Sequence, residues 1–183
     1  MQKEIWKDIP SYEGIYQVSN QGRVKSLSRL INWRGVKKTT KERILSECKN
    51  SDGYVCYVLN KDKSKKYVKA HSLGFEVFNG KYDKTKFEID HIDNDRSNNN
   101  LSNLRLVTRA QNCMNRSLYK GKSSEYKGVH FRKDTGKYRA IIRVNQRNIS
   151  LGQFDTAIEA AKAYNRKAVE LFGEYANLNI LTL

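Results

Sequence analysis

The chain has 183 residues, room for one large domain or two to three small ones, and its 35 Lys+Arg against 19 Asp+Glu leave a net charge of +16. That surplus disfavours mimicry of an acidic protein and favours a polyanion, either nucleic acid or an anionic membrane surface. No apolar run approaches a membrane span, and the N-terminal Met-Gln-Lys-Glu-Ile-Trp-Lys-Asp lacks a signal peptide's apolar segment, so no membrane partner is expected.

Residues 1–45 read as short strands and turns. Tyr12 to Val18 alternates, Ser19-Asn20-Gln21-Gly22 is turn chemistry, and Arg23 to Leu27 alternates again. A hairpin follows, Gly53–Leu59 and Tyr67–Ala70, joined by the lysine-rich turn Asn60–Lys66, and then a short helix from His71 to Phe78. An asparagine-rich unit occupies 87–116, and Ser117 to Ser124 reads as a linker. From Tyr126 onward the pattern predicts three strands (Gly128–Arg132, Tyr138–Val144, Asn148–Phe154) and one helix. That helix opens on the capping-box spacing Thr156-x-x-Glu159, lines Ala157, Ala160, Ala161, Tyr164, Ala168, Leu171 and Phe172 along one face, and ends at Gly173. Cys48, Cys56 and Cys113 are odd in number with no Cys-x-x-Cys pair; they predict ordinary buried or half-buried thiols in a reducing cytoplasm.

Strand periodicity divides the C-terminal sheet into two faces. Tyr138, Ala140, Ile142 and Val144 should meet the alanine-rich helix, together with Val129 and Phe131. His130, Arg132, Arg139, Ile141 and Arg143 should point the other way. Charge divides likewise: residues 116–147 hold ten Lys/Arg against Glu125 and Asp134, whereas 155–174 hold three basic and four acidic residues. An arginine-bearing sheet face fits a DNA major groove; a plain solvated face is the alternative. Ser124-x-Tyr126-x-Gly128-Val129, Tyr138-x-Ala140, Leu151-Gly152-x-Phe154-Asp155-Thr156-Ala157, Ala160-Ala161-x-Ala163-Tyr164 and Ala176-Asn177-Leu178-Asn179 resemble the APETALA/ethylene-response-factor DNA-binding domain over its whole length. The resemblance implies major-groove reading by Arg132 and Arg143, with His130, Arg139, Asn148 and Ser150 beside them. Ser150 stands where the plant factors carry an aromatic, and His130 where they usually have arginine. The plant sequence preference is therefore not carried over.

Phosphodiester hydrolysis needs a base for water and a cation for the charge on phosphate and leaving oxygen. Asp90-His91 offers a carboxylate and an imidazole. Thr108-x-x-Gln111 predicts a helix starting at Thr108, with Asn112 in its first turn. An Asp oxygen with an Asn oxygen is a hard, incomplete site, suited to Mg²⁺ or Mn²⁺. The order Asp90-His91-Ile92-Asp93, Asn98-Asn99, Leu101-Ser102-Asn103-Leu104-Arg105-Leu106-Val107-Thr108, Asn112 resembles the HNH endonucleases, especially phage and intron homing enzymes. That resemblance implies a ββα-metal fold with His91 as general base, Asp90 and Asn112 as metal ligands, and Asn103 bracing the loop; Arg105 is assigned to DNA. Asn112 departs from the name-giving final histidine, as this subgroup commonly does. His71 is expected to be structural. Trp6-Lys7-Asp8-Ile9, then Tyr12-Glu13-Gly14-Ile15-Tyr16-Gln17-Val18-Ser19-Asn20-x-Gly22-Arg23-Val24-Lys25-Ser26-Leu27, resemble the nuclease-associated modular (NUMOD) domain.

The expected architecture is α+β and modular: a β-rich module over 1–45, an HNH domain over 46–116, a linker over 117–123, and a three-stranded antiparallel sheet plus one helix over 124–183. The expected activity is a cytoplasmic, site-preferring DNA endonuclease of a phage or mobile element. It would use Mg²⁺ or Mn²⁺, no small-molecule cofactor, and duplex DNA as partner, leaving 5′-phosphate and 3′-hydroxyl ends. One such site in a monomer predicts a nick; a dimer would cut both strands. The rivals are a DNA-binding regulator whose HNH unit only binds, and a basic RNA-binding protein.

Overall fold

Short runs of alternating polarity, punctuated by turn residues, give this chain many small sheets and few helices. The computed structural model describes residues 3–115, 124–144 and 146–181, apart from the Trp33 side chain, and it is α+β. The elements are β1 (Trp6–Asp8), β2 (Tyr16–Ser19), β3 (Val24–Ser26), β4 (Leu30–Trp33), β5 (Val36–Thr39), β6 (Arg43–Ile44), β7 (Cys48–Lys49), β8 (Val55–Lys61) and β9 (Ser64–Lys69), then helix α1 (Ala70–Asn79). After these come β10 (Phe87–His91), β11 (Leu104–Thr108), α2 (Arg109–Met114), β12 (Val129–Arg132), β13 (Lys137–Val144), β14 (Arg147–Phe154) and α3 (Ala157–Phe172). The chain divides into two compact units, one ending at Thr108 and one beginning at Arg109. The expected linker over 117–123 lies outside the described residues.

In the first unit, β1-β2-β3-β6 form one antiparallel sheet and β7-β8-β9 another. Val18, Val24, Val55, Tyr57, Leu59 and Ala70 are buried together, so residues from both sides of the expected 45/46 boundary share one core. Helix α1 lays Leu73, Val77 and Phe78 against it. The lysine-rich turn is much shorter than expected. The β8–β9 ladder runs on through Lys61↔Ser64, and only Asp62 and Lys63 turn the chain, both with positive φ. Two left-handed residues match the twist of the flanking strands, so the ladder zips to its tip. Of the cysteines, Cys56 is buried as expected, but Cys48 and Cys113 are exposed thiols, because β7 is a two-residue edge strand and Cys113 lies on the short α2.

In the second unit, β12-β13-β14 form an antiparallel sheet with α3 packed across it. Ala160, Ala161, Ala163 and Ala168 are buried; their small side chains let helix and sheet approach closely. The Thr156 hydroxyl accepts from Glu159 N at 3.2 Å, the Glu159 carboxylate accepts from Thr156 N at 3.2 Å, and Gly173 ends the helix at φ 52°. Two expected core residues are corrected. Phe131 is 38% exposed, because it lies near the free end of β12; its ring is tilted against Tyr138, with centroids 5.1 Å apart. Leu171 is exposed in the last helical turn, where Phe172 takes the inward position.

Gly128 holds this unit closed. It sits at φ +74°, and a Cβ there would lie 2.2 Å from the Tyr164 ring and 2.5 Å from the Ile141 carbonyl oxygen. Gly128→Ala combines overpacking with a strained backbone and should destabilise the second unit by about 3 kcal/mol, measured as loss of melting temperature. An unchanged melting temperature would contradict the packing.

Candidate functional site

Strands β10 and β11 pair in antiparallel register, with Asp90 opposite Arg105 and His91 opposite Leu104. Directly opposed residues on one face of a sheet meet. Arg105 accordingly donates from both Nε and Nη2 to Asp90 Oδ2, each at 2.9 Å. The residue assigned to DNA thus holds the buried carboxylate. A guanidinium beside it offsets the cost of burying that charge.

His91 lies at the strand end, 5% exposed, and its Nε2 is 3.1 Å from Asn99 Oδ1. The Asn99 amide nitrogen donates to Ser97 O at 3.1 Å, which turns the amide oxygen toward the imidazole. An oxygen facing Nε2 needs a proton there, so the basic lone pair belongs to Nδ1. Two further rings pack around it: His71 stands edge-on at 5.2 Å between centroids, and Tyr54 is 4.9 Å from His71 and 6.0 Å from His91. Lys69 and Arg96 lie over the Tyr54 ring at 4.9 and 4.8 Å, placing positive charge beside the imidazoles. Tyr54, Lys69, Arg96 and Asn99 were not singled out from sequence.

Side-chain amides hold the loop between the strands. Asn103 donates to Asp93 Oδ1 at 2.9 Å and to Asn98 O at 2.8 Å, while its amide oxygen accepts from Asp93 N at 3.2 Å. Asn98 reaches the other oxygen of Asp93 at 2.6 Å, and Asn94 takes φ 62°, a left-handed conformation that asparagine tolerates.

His71 has a consequence for stability. Its Nδ1 is buried with no hydrogen-bond partner, and burial, the adjacent His91 and then Lys69 push its pKa down to about 3. The folded protein therefore resists protonating a group that the unfolded chain protonates near pH 6.5. As pH falls from about 6.5 toward 3, the unfolded state binds a proton the folded state refuses, and stability drops by up to ~1.4 kcal/mol per pH unit. Above pH about 6.5 this contribution is flat. His71→Met should flatten that part of the unfolding-versus-pH curve; a slope equal to the wild type's would contradict it.

Helix α2 begins at Arg109, directly after Thr108, and carries Asn112; in chain order β10, β11 and α2 form a strand–strand–helix series. Asp90 and His91 belong to the first compact unit and Asn112 to the second. Among the described residues no group of three or more His, Cys, Asp or Glu side chains is placed so that it could hold a metal ion. The carboxylate of Asp90 is a hard oxygen donor of the kind that suits a cation retaining water ligands, and the side-chain oxygen of Asn112 is of the same chemical type.

On the C-terminal sheet the six assigned residues share one face. His130 is opposite Arg139, Arg143 opposite Asn148, and Arg132 opposite Lys137; a register shift after Ala140, with Leu151 as the extra residue, brings Ser150 opposite Ile141. Arg143 is exposed. Arg139 Nε donates to Ser150 Oγ at 3.4 Å, and Arg132 pairs with Asp134 at 2.6 Å, which pulls that carboxyl down to about 2. Behind this sheet, the Asn177 amide nitrogen donates to Asn115 O at 2.9 Å, and Met114 packs on the Ile142–Tyr164–Ala168–Phe172 cluster. The end of α2 is thereby joined to the sheet-and-helix core of its own unit.

Residues 4–60 match the NUMOD4 motif, and residues 68–114 match the HNH endonuclease family. The two matched segments follow one another along the chain without overlap. An uncharacterised HNH endonuclease of Acanthamoeba polyphaga mimivirus is 41% identical over 91 residues, covering 50% of this chain and 46% of that protein. The DNA endonuclease I-HmuI of Bacillus phage SP01 is 37% identical over 110 residues, covering 60% of this chain and 56% of its own length. The C-terminal region is similar to an AP2-like ethylene-responsive transcription factor of Arabidopsis thaliana, 42% identical over 62 residues, covering 34% of this chain and 13% of that one. The chain therefore spans about half the length of these two endonuclease relatives. Among the described residues, no helix is long and apolar enough to cross a membrane.

Proposed function

We propose that this protein is a metal-dependent DNA endonuclease of the HNH homing type, cutting duplex DNA at preferred sites. The observation that carries the reading is the buried Asp90–His91 pair, its imidazole anchored through Nε2 to Asn99, within the segment similar to HNH endonucleases. His91 takes the proton of the attacking water at Nδ1. Asp90, held by Arg105, and Asn112 would hold the divalent cation, Mg²⁺ or Mn²⁺. When bound, that cation supplies charge to the scissile phosphate and the 3′-oxygen leaving group. Asn103 keeps the intervening loop folded. Lys69 and Arg96 attract the phosphate backbone.

The arginine face of the C-terminal sheet engages the major groove, which positions the nuclease unit on DNA. Arg143→Ala should weaken DNA binding about tenfold or more, while hydrolysis persists at high enzyme concentration. Intact binding with lost hydrolysis would contradict this division of labour. Phosphate contacts make affinity fall steeply with salt. The test of the function is supercoiled plasmid with Mg²⁺. It should relax to open circles that DNA ligase reseals, as 5′-phosphate and 3′-hydroxyl ends allow. Binding without relaxation would instead favour a DNA-binding regulator, and tighter binding to structured RNA would favour an RNA-binding protein.

A further inference from the structure

The imidazole of His91 is oriented by Asn99, and the wall behind Asn99 comes from the N-terminal module. Gly22 sits at φ +79° in the turn between β2 and β3, and a Cβ on it would lie 2.3 Å from Asn99 Cβ and 2.9 Å from Asn99 O. No side chain fits there, so the backbone of Gly22 is seated directly on Asn99. The turn is itself fixed. Ser19 is fully buried, its hydroxyl accepts from Gln21 N and Arg23 N at 3.2 Å each, and Gly22 N donates to Ser19 O at 3.0 Å. Two residues after Asn99, Leu101 N donates to Asn20 O at 2.9 Å. Asn99 is 5% exposed, held from behind by this turn and reaching forward to His91 Nε2 at 3.1 Å.

We propose that Gly22 and Asn99 are positioning residues for the nuclease reaction: the Ser19–Gly22 turn seats Asn99, and Asn99 fixes the rotation and tautomer of His91. The N-terminal module is then a structural part of the active site as well as a neighbour of it. This rests on His91 acting as the base.

Packing by the His71 and Tyr54 rings limits where the ring of His91 lies, but ring packing does not by itself choose which nitrogen carries the proton. An acceptor on Nε2 does. Removing that acceptor takes away a constraint that favours the Nε2–H tautomer and the present ring orientation.

The test uses the full chain and four variants: Asn99→Ala, Asn99→Asp, Gly22→Ala, and the Gly22→Ala/Asn99→Ala double. Asn99→Ala should lower kcat roughly tenfold or more with KM and DNA affinity nearly unchanged. Asn99→Asp, which restores an acceptor, should recover most of that loss. Imidazole ¹⁵N spectra should show His91 as the Nε2–H tautomer in the wild type and a tautomer mixture in Asn99→Ala. Gly22→Ala should reproduce the kcat loss and cost little more when Asn99 is already alanine, because both act through one contact. Multiplying losses, or a wild-type tautomer in Asn99→Ala, would overturn the proposal. Should Gly22→Ala fail to fold, Gly22 is a folding residue, and Asn99→Ala with Asn99→Asp still decide whether Asn99 positions His91. If His91→Ala nicks normally, the base assignment has failed, while the ¹⁵N spectra still decide whether Asn99 sets the tautomer.

Discussion

His91→Ala should slow single-turnover cleavage of duplex DNA by about a hundredfold to ten-thousandfold, the range a positioned general base supplies. Affinity for the same duplex should stay within a few-fold of the wild type, because His91 is buried, whereas Arg143, Lys69 and Arg96 are exposed cations that the substitution leaves in place. The size of the effect follows from geometry already present. The ring is held by Asn99 through Nε2 and by His71 and Tyr54 at its edges, so little reorganisation is needed before proton transfer. Loss of binding in parallel with loss of rate would show that the variant is misfolded. A rate near wild type with full binding would remove His91 from the chemistry.

The second large effect belongs to Arg105. Its Nε and Nη2 both reach one oxygen of a carboxylate whose side chain is 7% exposed. Arg105→Ala removes the cation and leaves the carboxylate inside, which should cost the first unit roughly 3–5 kcal/mol. A divalent cation bound by Asp90 offsets part of the same charge, so saturating Mg²⁺ should recover some of the lost melting temperature. Thermal unfolding with and without Mg²⁺ separates this role from a DNA contact. A phosphate-binding Arg105 would weaken DNA affinity with stability unchanged; a braced Asp90 predicts the reverse order of effects.

Much of this was legible in the sequence because it depends on short-range rules. The faces of β13, the alanine stripe of α3 and the Thr156/Glu159 box follow from strand and helix periods and from cap chemistry, and the structure forms them where those rules place them. The ends of elements read less well: Phe131 and Leu171 keep the right period but lie where the opposing layer stops. The β8–β9 tip was misread because lysines suggest a loop, whereas Asp62 and Lys63 adopt the left-handed pair that lets the ladder continue. In the candidate site, Asp90, His91 and Asn103 stand out as residue types in a motif. Arg105 could have been paired with Asp90 from the hairpin register alone. Asn99 could not have been chosen from among its asparagine neighbours, because its distinction is set by Gly22, far upstream in the chain. Tyr54 and His71 likewise meet His91 only through tertiary packing.

The most direct test of the account compares one supercoiled plasmid preparation treated with wild type plus Mg²⁺, wild type plus chelator, and His91→Ala plus Mg²⁺. The account predicts open circles in the first only, with all three samples binding the plasmid. Nicking that survives chelation, or equal nicking by His91→Ala, would contradict it.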